Sequence, residues 1–333
     1  MKVVVTGGTG FLGRHVVWRL AAEGATVVFT GRDAQAAQQV WHGAAASVSW
    51  VALDHGTPGA ADTLAGLARG ADAIVHCAAL SSPWGRRRDF ERANLDSTAE
   101  VLAACRRQGV RRLVHVSTPS LYFGFADRRG LREDAPLPPP ANHYVRTKRA
   151  AEDLIRENPP PETVVLRPRA LFGPWDQTLV PRLLRVMQRG PVPLMRGGRA
   201  LADLTYIDNA VQAIGRALTQ PLARPHAVYN VSNGEPRPLD ELLALMAREF
   251  RIPLRTRAVP WPLVSLGARA IEAAYAVAGG GREPPLTRYS AGVLAFDQTL
   301  DIGALRTELG YRPTVGIEEG IRRHARWWRE QGA

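Results

Sequence analysis

The chain is poor in cysteine, in long apolar runs and in lysine, and each shortage bears on which classes of protein it can belong to. Its two cysteines, Cys77 and Cys105, cannot build a disulfide framework and lack the spacing of a metal site, which predicts a reducing, cytoplasmic setting. No apolar run reaches the roughly 18 residues that a membrane-spanning helix needs. A strand-like segment begins at once, which argues against a signal peptide. We therefore expect a globular cytoplasmic protein without a metal centre or a transmembrane segment.

Lysine is almost absent, because only Lys2 and Lys148 are lysines among the 43 lysine and arginine residues. The net charge of +12 raises the question of nucleic-acid binding. The arginine clusters are scattered, however, and no aromatic residues alternate with them, so specific nucleic-acid binding is not expected. Lys148 stands out because it follows Tyr144 by four residues on a predicted helix, where both side chains lie on one face.

Short apolar segments alternate with helical segments through the first half of the 333-residue chain. The predicted strands are Val3–Thr6, Thr26–Thr30, Val48–Leu53, Ala73–His76, Leu113–Ser117 and Val164–Leu166. Helices are predicted near residues 11–23, 33–40, 60–69, 89–108 and 143–157. Strands this apolar, separated by helices, predict an α/β fold with a doubly wound parallel Rossmann sheet that is covered on both faces.

The pattern changes after about residue 170, where prolines mark loops. We predict a Rossmann domain over residues 1–170, to which the chain returns at about 204–232. Residues 171–203 and 233–333 are predicted to form a smaller, mostly helical substrate-binding lobe. In that lobe, the apolar segment from Leu263 to Ala278 is either a helix that covers a hydrophobic pocket or an ordinary packing helix.

A glycine-rich turn joins the first predicted strand to the first helix, with the sequence Gly7-Gly8-Thr9-Gly10-Phe11-Leu12-Gly13. Glycine allows the sharp turn and the close approach of a phosphate group. The first N–H groups of the helix, at Phe11 and Leu12, are then free to bind that phosphate. The strand–turn–helix context therefore predicts a dinucleotide site at Gly7, Gly10 and Gly13.

The end of the second strand predicts which dinucleotide is bound. Arg32 lies about 20 residues beyond the glycine motif, where a carboxylate would select NAD and an arginine can pair with the 2′-phosphate of NADP. We therefore favour NADP(H), while the neighbouring Asp33 keeps NAD(H) possible. Arg14 is a second candidate cation. Asp54, after the third strand, either accepts a hydrogen bond from the adenine amine or is a plain loop residue.

Hydroxyl, phenol and ammonium groups are expected to converge at the end of the fifth strand. Ser117 and Thr118 close that strand, and the helix with Tyr144 and Lys148 follows it. Ligands of such sheets bind at the carboxyl ends of the strands, so these groups face the expected crevice. A free tyrosine has a pKa of about 10, and a fixed ammonium together with a positive nicotinamide would lower it toward the range useful for proton transfer. The pattern predicts proton exchange with a carbonyl that also exchanges hydride with a nicotinamide.

With these motifs in order, the sequence resembles the extended short-chain dehydrogenase/reductases of the NAD-dependent epimerase/dehydratase superfamily. The matching motifs are Thr6-Gly7-x-x-Gly10-x-x-Gly13, Val75-His76-Cys77-Ala78-Ala79, Asn94, Ser117-Thr118, Tyr144-x-x-x-Lys148 and Leu166-Arg167-Pro168. The resemblance implies that Tyr144 is the catalytic acid–base and that Lys148 assists it and holds the nicotinamide ribose. It implies that Thr118, or the adjacent Ser117, is the catalytic hydroxyl. It also implies cofactor contacts at Ala78, Ala79, Pro168, Ala170 and Leu171. Asn94 is implied to connect the central helix to the active site.

Two features of the sequence separate branches of this family. Nucleotide-sugar epimerases and dehydratases usually carry an arginine where this chain has Ala202, to hold the diphosphate. The segments 116–121, 172–184 and 285–289 resemble instead the 3β-hydroxysteroid dehydrogenases and the 2-alkyl-3-ketoacid reductases. That resemblance implies an oxidoreductase that transfers hydride to or from a bulky apolar ketone or secondary alcohol, either steroid-like or a long-chain 3-keto or 3-hydroxy acid.

Aromatic side chains near the expected crevice suit such a substrate. Trp84, Phe123 and Trp175 are predicted to line the substrate pocket. The alternative is that some of them are core residues. A nucleotide-sugar epimerase or dehydratase is the alternative function. A non-catalytic, cofactor-sensing regulator is a more remote one. The resemblance also implies a homodimer that forms through the helices near 89–108 and 142–157.

Overall fold

A seven-stranded parallel sheet forms the centre of the computed structural model, which describes residues 1–44, 47–278 and 282–332. The strands of these residues are β1 (Lys2–Thr6), β2 (Thr26–Gly31), β3 (Val48–Ala52), β4 (Ala73–His76), β5 (Arg112–Val116), β6 (Arg128–Leu131), β7 (Glu162–Pro168), β8 (Leu171–Phe172), β9 (Val192–Leu194), β10 (Leu201–Ala202), β11 (Thr205–Tyr206), β12 (His226–Val231), β13 (Arg237–Pro238), β14 (Thr256–Ala258) and β15 (Gln298–Leu300). The order across the large sheet is β12-β7-β5-β4-β1-β2-β3. This order, with every neighbouring pair parallel, confirms the doubly wound sheet.

Helices connect these strands and cover the sheet on both sides. They are α1 (Phe11–Ala22), α2 (Ala34–His42), α3 (Ala60–Ala68), α4 (Arg87–Phe90), α5 (Ser97–Gln108), α6 (His143–Glu157), α7 (Leu179–Arg189), α8 (Ile207–Thr219), α9 (Leu239–Phe250), α10 (Trp261–Ala278), α11 (Arg288–Ala295), α12 (Gly303–Leu309) and α13 (Ile317–Glu330). Along β1, Val3 and Val5 belong to one buried apolar cluster and Val4 belongs to another. Because side chains alternate across a strand, the two clusters lie on opposite faces of the sheet.

The second half of the chain adds smaller elements around the carboxyl edge of the large sheet. A four-stranded sheet has the order β13-β10-β15-β6, and short pairs join β8 to β11 and β9 to β14. Helix α11 contacts the segment after β5, where the Tyr289 hydroxyl donates to Ser120 Oγ at 2.7 Å. This mostly helical region therefore meets the sheet at the edge where the candidate site residues were predicted.

The helix predicted over residues 89–108 is not a continuous α-helix. The chain forms α4, then a π-helical segment over Glu91–Asp96, and then α5. The wider turn contains Asn94, which is buried and donates from Nδ2 to Thr147 Oγ1 at 3.0 Å. Such π segments often occur at functional sites. Here the segment places Asn94 against α6, next to Lys148.

Helix α10 exposes more apolar surface than a packing helix would. The exposed fractions of Leu263 and Leu266 are 64% and 67%, whereas Trp261, at its start, packs edge-on against Phe296 at 5.1 Å between ring centroids. The helix is therefore anchored at its beginning, and these two leucines lie outside the core. Among the described residues, no helix is both long and apolar enough to cross a membrane.

Candidate active site

The glycine-rich turn is shaped so that side chains would not fit. Gly7 has a φ of +69°, and a Cβ added to it would lie 2.7 Å from the backbone of Ala78. A Cβ on Gly13 would collide with the Gly7 carbonyl oxygen. Gly10 caps α1, so the N–H groups of Phe11 and Leu12 have no acceptor in the helix. A close-packed turn that ends at free N–H groups fits the pyrophosphate of a dinucleotide.

The charged residues that follow β2 and β3 have different partners. Asp33 caps α2, since its Oδ1 accepts from Ala36 N at 2.9 Å. Arg32 is exposed, and no ion pair engages it among the described residues. Asp54 follows β3, and its Oδ2 accepts from Arg92 at 2.7 Å. The role of Asp54 toward adenine stays a prediction.

Arg14 and Trp175 lie together beside the first turn. Arg14 is buried, donates from Nη2 to Thr9 O at 3.0 Å, and lies 4.5 Å above the ring of Trp175. Trp175 also contacts Trp18 and Trp327 through edge-on and tilted ring pairs. The ring of Trp175 is therefore held between α1 and α13 by Arg14 and two tryptophans, and its role in the substrate pocket stays a prediction.

The two candidate hydroxyl groups at the end of β5 have different partners. Ser117 donates to Glu152, which forms an ion pair with Arg167 at 2.5 Å. Thr118 instead caps the 3₁₀ turn Pro119–Tyr122, and its Oγ1 lies 3.0 Å from Ser120 Oγ. Ser117 thus belongs to a buried structural ion pair, and Thr118 belongs to the hydroxyl cluster around the phenol of Tyr144.

Tyr144 lies in the first turn of α6, where Asn142 caps the helix by accepting from Val145 N at 2.9 Å. Burial raises the pKa of the Tyr144 phenol, and the neighbouring hydroxyl groups of Thr118 and Ser81 oppose that rise. Among the chain's own groups, desolvation of the phenolate outweighs the stabilisation that its neighbours supply. The lowered pKa expected from the sequence includes the charge of a bound nicotinamide and stays a prediction.

Lys148 is 2% exposed and points along the end of β5. Its Nζ donates to Val116 O at 2.7 Å and lies 3.2 Å from His115 Nε2. Burial lowers the pKa of Lys148 to about 8. His115 pairs in register with His76 on β4, and burial holds the pKa of both imidazoles well below the usual range. Lys148 therefore faces neutral histidines and a carbonyl, not a second cation.

The remaining predicted cofactor residues lie along the same edge. Ala78 and Ala79 follow β4, Pro168 ends β7, and Leu171 begins β8. Ala170 has a φ of +44°, which is strained for a residue with a side chain. These residues therefore lie in or directly after the strands at the carboxyl edge of the sheet.

One of the predicted pocket residues, Phe123, lies beside the hydroxyl groups of Tyr289 and Ser120. Phe123 is buried and packs edge-on against Tyr289, with 5.1 Å between ring centroids. Trp84 is half-buried in the loop after β4, where its carbonyl accepts from Ser82 Oγ at 2.8 Å. Tyr289 and Ser120 were missed by the sequence reasoning, since a link between residues so far apart has no local signal.

Comparison with known proteins agrees with this geometry. The model of the NAD dependent epimerase/dehydratase family matches residues 3–232. The chain belongs to this family. Similar proteins include the Escherichia coli protein YbjS, named as uncharacterized, at 37% identity over 100% of this chain and 99% of the relative. A 2-alkyl-3-oxoalkanoate reductase of Stenotrophomonas maltophilia is 34% identical over 97% of this chain and 98% of the relative.

Solved structures of the epimerase/dehydratase family agree on the fold. A UDP-glucuronic acid 4-epimerase of Bacillus cereus superposes with a TM-score of 0.77 at 20% identity, covering 99% of this chain and 100% of that one.

A sterol-4-alpha-carboxylate 3-dehydrogenase of mouse is 26% identical over 97% of this chain and 89% of the relative. The resemblance to extended short-chain dehydrogenase/reductases, and to the branch with hydroxysteroid dehydrogenases and ketoacid reductases, is confirmed.

Proposed function

We propose that this family member is an NADP(H)-dependent reductase of bulky apolar ketones. The observation that carries the proposal is the half-buried phenol of Tyr144 between Thr118 and Ser81, on the same helix as the buried ammonium of Lys148. These groups lie at the carboxyl edge of the sheet, as does the glycine turn that fits a dinucleotide.

In the proposed reaction, a ketone, NADPH and a proton yield a secondary alcohol and NADP⁺. A nicotinamide cofactor held by the glycine turn and Lys148 would supply the hydride for the carbonyl carbon. Tyr144 donates its phenolic proton to the carbonyl oxygen as negative charge develops there, and Thr118 stabilises that charge with a hydrogen bond. Lys148 holds the nicotinamide ribose and, as an ammonium, stabilises the phenolate that Tyr144 becomes when it gives up its proton. A proton from solvent then restores the Tyr144 phenol, so each turnover consumes one ketone, one NADPH and one proton.

The protonation of Tyr144 suits ketone reduction near neutral pH. Burial raises the pKa of this phenol, so the protonated form, which can give a proton to a carbonyl oxygen, dominates there. Alcohol oxidation with NADP⁺ uses the same groups in reverse. We propose ketone reduction as the direction favoured at neutral pH, in agreement with the reductase and ketoreductase names of two relatives.

The substrate pocket is proposed to lie between the hydroxyl cluster and α11. Phe123 packs against Phe125 at 4.8 Å between ring centroids, and Phe125 in turn contacts Trp261 at the start of α10. Such an aromatic wall favours an apolar substrate. The relatives named for 2-alkyl-3-oxoalkanoates and for sterol carboxylates suggest the same chemical class for this chain.

The direct test of the proposed function measures oxidation of NADPH by the purified protein with a 2-alkyl-3-oxoalkanoate. We expect a decrease in nicotinamide absorbance that depends on the substrate. The epimerase alternative predicts no net change in absorbance and strong thermal stabilisation by UDP-glucose or dTDP-glucose. Ala202, in place of the usual diphosphate arginine, argues against that alternative. Stabilisation by a nucleotide sugar without NADPH oxidation would refute the reductase.

Arg32 is proposed to select NADP(H) over NAD(H), because it is exposed beside the cofactor turn while Asp33 is engaged as a helix cap. We expect Arg32→Ala to raise KM for NADPH by roughly 10- to 100-fold, since a charged hydrogen-bonded pair contributes about 1.5–3 kcal/mol. Steady-state kinetics with both cofactors measure this. The KM for NADH should change less than about threefold, and Arg216→Ala, an exposed arginine on α8, should change neither value. Equal losses for both cofactors would contradict the assignment.

We also propose that the protein forms a homodimer in which α5 and α6 of two copies pack together. The support is the family resemblance and the adjacency of these helices on one face of the sheet. Sedimentation of the purified protein would test it. A monomer at micromolar concentration would remove the proposal without affecting the reductase assignment.

A further inference from the structure

Arg169 differs from the buried arginines that hold the fold together. Arg112 pairs with Glu162 at 2.5 Å, and Arg167 pairs with Glu152 at 2.5 Å. Arg169 is 6% exposed, and within the described part of the chain neither an ion-pair partner nor a side-chain hydrogen bond engages its guanidinium. A buried charge without a partner is costly, so a fold retains one where a ligand supplies the opposite charge.

The backbone of Arg169 is fixed on both sides. Its N–H donates to Val231 O at 3.0 Å, and its carbonyl accepts from Thr205 Oγ1 at 2.5 Å. The next residue, Ala170, has the strained φ of +44°. Strain of this kind persists only where the surrounding structure enforces it, and it is common at ligand sites. The guanidinium is therefore presented from a rigid segment.

The surroundings of Arg169 connect it to the proposed reacting centre. Tyr289 is one of the titratable groups close enough to interact with the charge of Arg169. The Tyr289 hydroxyl donates to Ser120 Oγ at 2.7 Å, and Ser120 Oγ lies 3.0 Å from Thr118 Oγ1. Asp203 is the carboxylate that faces Arg169, but its Oδ2 accepts from Leu300 N at 2.7 Å, and the two side chains do not form an ion pair. The positive charge thus lies near these hydroxyl groups, and the nearby Asp203 carboxylate attracts it without forming a direct ion pair.

We propose that Arg169 binds a carboxylate that the ketone substrate carries next to its reacting carbonyl. In a 3-oxo acid the carboxylate is separated from the carbonyl carbon by one carbon atom. When Thr118 and Tyr144 hold the carbonyl oxygen, the carboxylate is therefore close enough to meet a neighbouring guanidinium. Arginine binds such a group with two parallel hydrogen bonds. This inference rests on the proposed reductase function and adds the residue that selects acids over neutral ketones.

The test compares a 2-alkyl-3-hydroxyalkanoic acid that carries two octyl-length chains with its methyl ester, both oxidised with NADP⁺. The alcohol direction is used because 3-oxo acids lose carbon dioxide spontaneously. We expect the wild-type protein to prefer the acid by roughly 10- to 100-fold in kcat/KM, as the loss of a charged hydrogen-bonded pair implies. Arg169→Gln should reduce the acid-to-ester ratio to about one, and Arg169→Lys should give an intermediate ratio. Arg185→Gln, an exposed arginine on α7, is the matched control and should keep the wild-type ratio.

Thermal unfolding separates this role from a structural one. Arg169→Gln removes an unpaired buried charge, so its Tm should stay equal to or exceed that of the wild type. A marked loss of Tm would mean that Arg169 has a structural partner such as Asp203, and would overturn the proposal. A wild-type acid-to-ester ratio near one would overturn it as well, while leaving the reductase function standing. If the wild type oxidises neither compound, the reductase function and this inference both fail.

Discussion

Replacing Tyr144 with phenylalanine is expected to lower kcat for ketone reduction by roughly 10³-fold, the middle of the range for loss of a positioned proton donor. Phenylalanine keeps the ring and removes only the hydroxyl group beside Thr118 and Ser81. KM for the cofactor should change little, because the glycine turn and Arg32 are untouched. Steady-state NADPH oxidation measures the effect.

Tyr229 provides a matched control for this substitution. It lies on β12, and its hydroxyl donates to Glu308 Oε2 at 2.7 Å, away from the hydroxyl cluster. Tyr229→Phe should reduce the free energy of unfolding by about 1 kcal/mol, the usual contribution of one hydrogen bond, and leave kcat at the wild-type value. If Tyr144→Phe retained wild-type turnover, the proposed proton donor would be wrong.

Lys148→Arg is expected to reduce kcat/KM by roughly 10²-fold, although the positive charge is kept. The ammonium occupies a buried position between the Val116 carbonyl, at 2.7 Å, and His115, at 3.2 Å. A planar guanidinium is larger and cannot take the same place without displacing one of them. Lys2→Arg changes the other lysine of the chain and should have no effect on turnover. Similar kinetics for both variants would mean that Lys148 has no special role.

The pH profile of the wild-type protein gives a second measurement of Lys148. Burial lowers the pKa of this group to about 8, so the ammonium is present below that value and is lost above it. We expect kcat/KM for reduction, which reports on the free enzyme, to fall as pH rises through about 8. Lys148→Arg should lose this decline, because a guanidinium stays protonated throughout. A wild-type profile that stays flat through about pH 10 would contradict the assignment.

The sequence predicted what depends on local pattern. The apolar runs predicted the strands of the sheet, and the glycine spacing predicted the turn whose backbone leaves no room for a Cβ at Gly7. Spacing within one helix also placed Tyr144 and Lys148 on the same face. These features are set by neighbours in sequence, through strand alternation, helix period and the conformational freedom of glycine.

Features that depend on distant segments were not predictable from the sequence. The unpaired charge of Arg169 is evident only when Tyr289 and Asp203, which lie on other elements, are placed around it. The contact of Arg14 with the ring of Trp175 beside the first turn likewise joins residues far apart in sequence. The burial that raises the pKa of Tyr144 is also a property of the packed molecule and not of the motif.

The positions of the two lysines have a practical consequence for attaching the protein to a surface. Lys2 begins β1 at the amino edge of the sheet, where its Nζ reaches the Arg69 carbonyl at 2.6 Å in an exposed setting. Lys148 is 2% exposed at the opposite edge. Of these two ε-amino groups, an amine-reactive resin or dye therefore reaches Lys2. Coupling through Lys2 would leave the carboxyl edge of the sheet, and the substrate entrance with it, facing the solution.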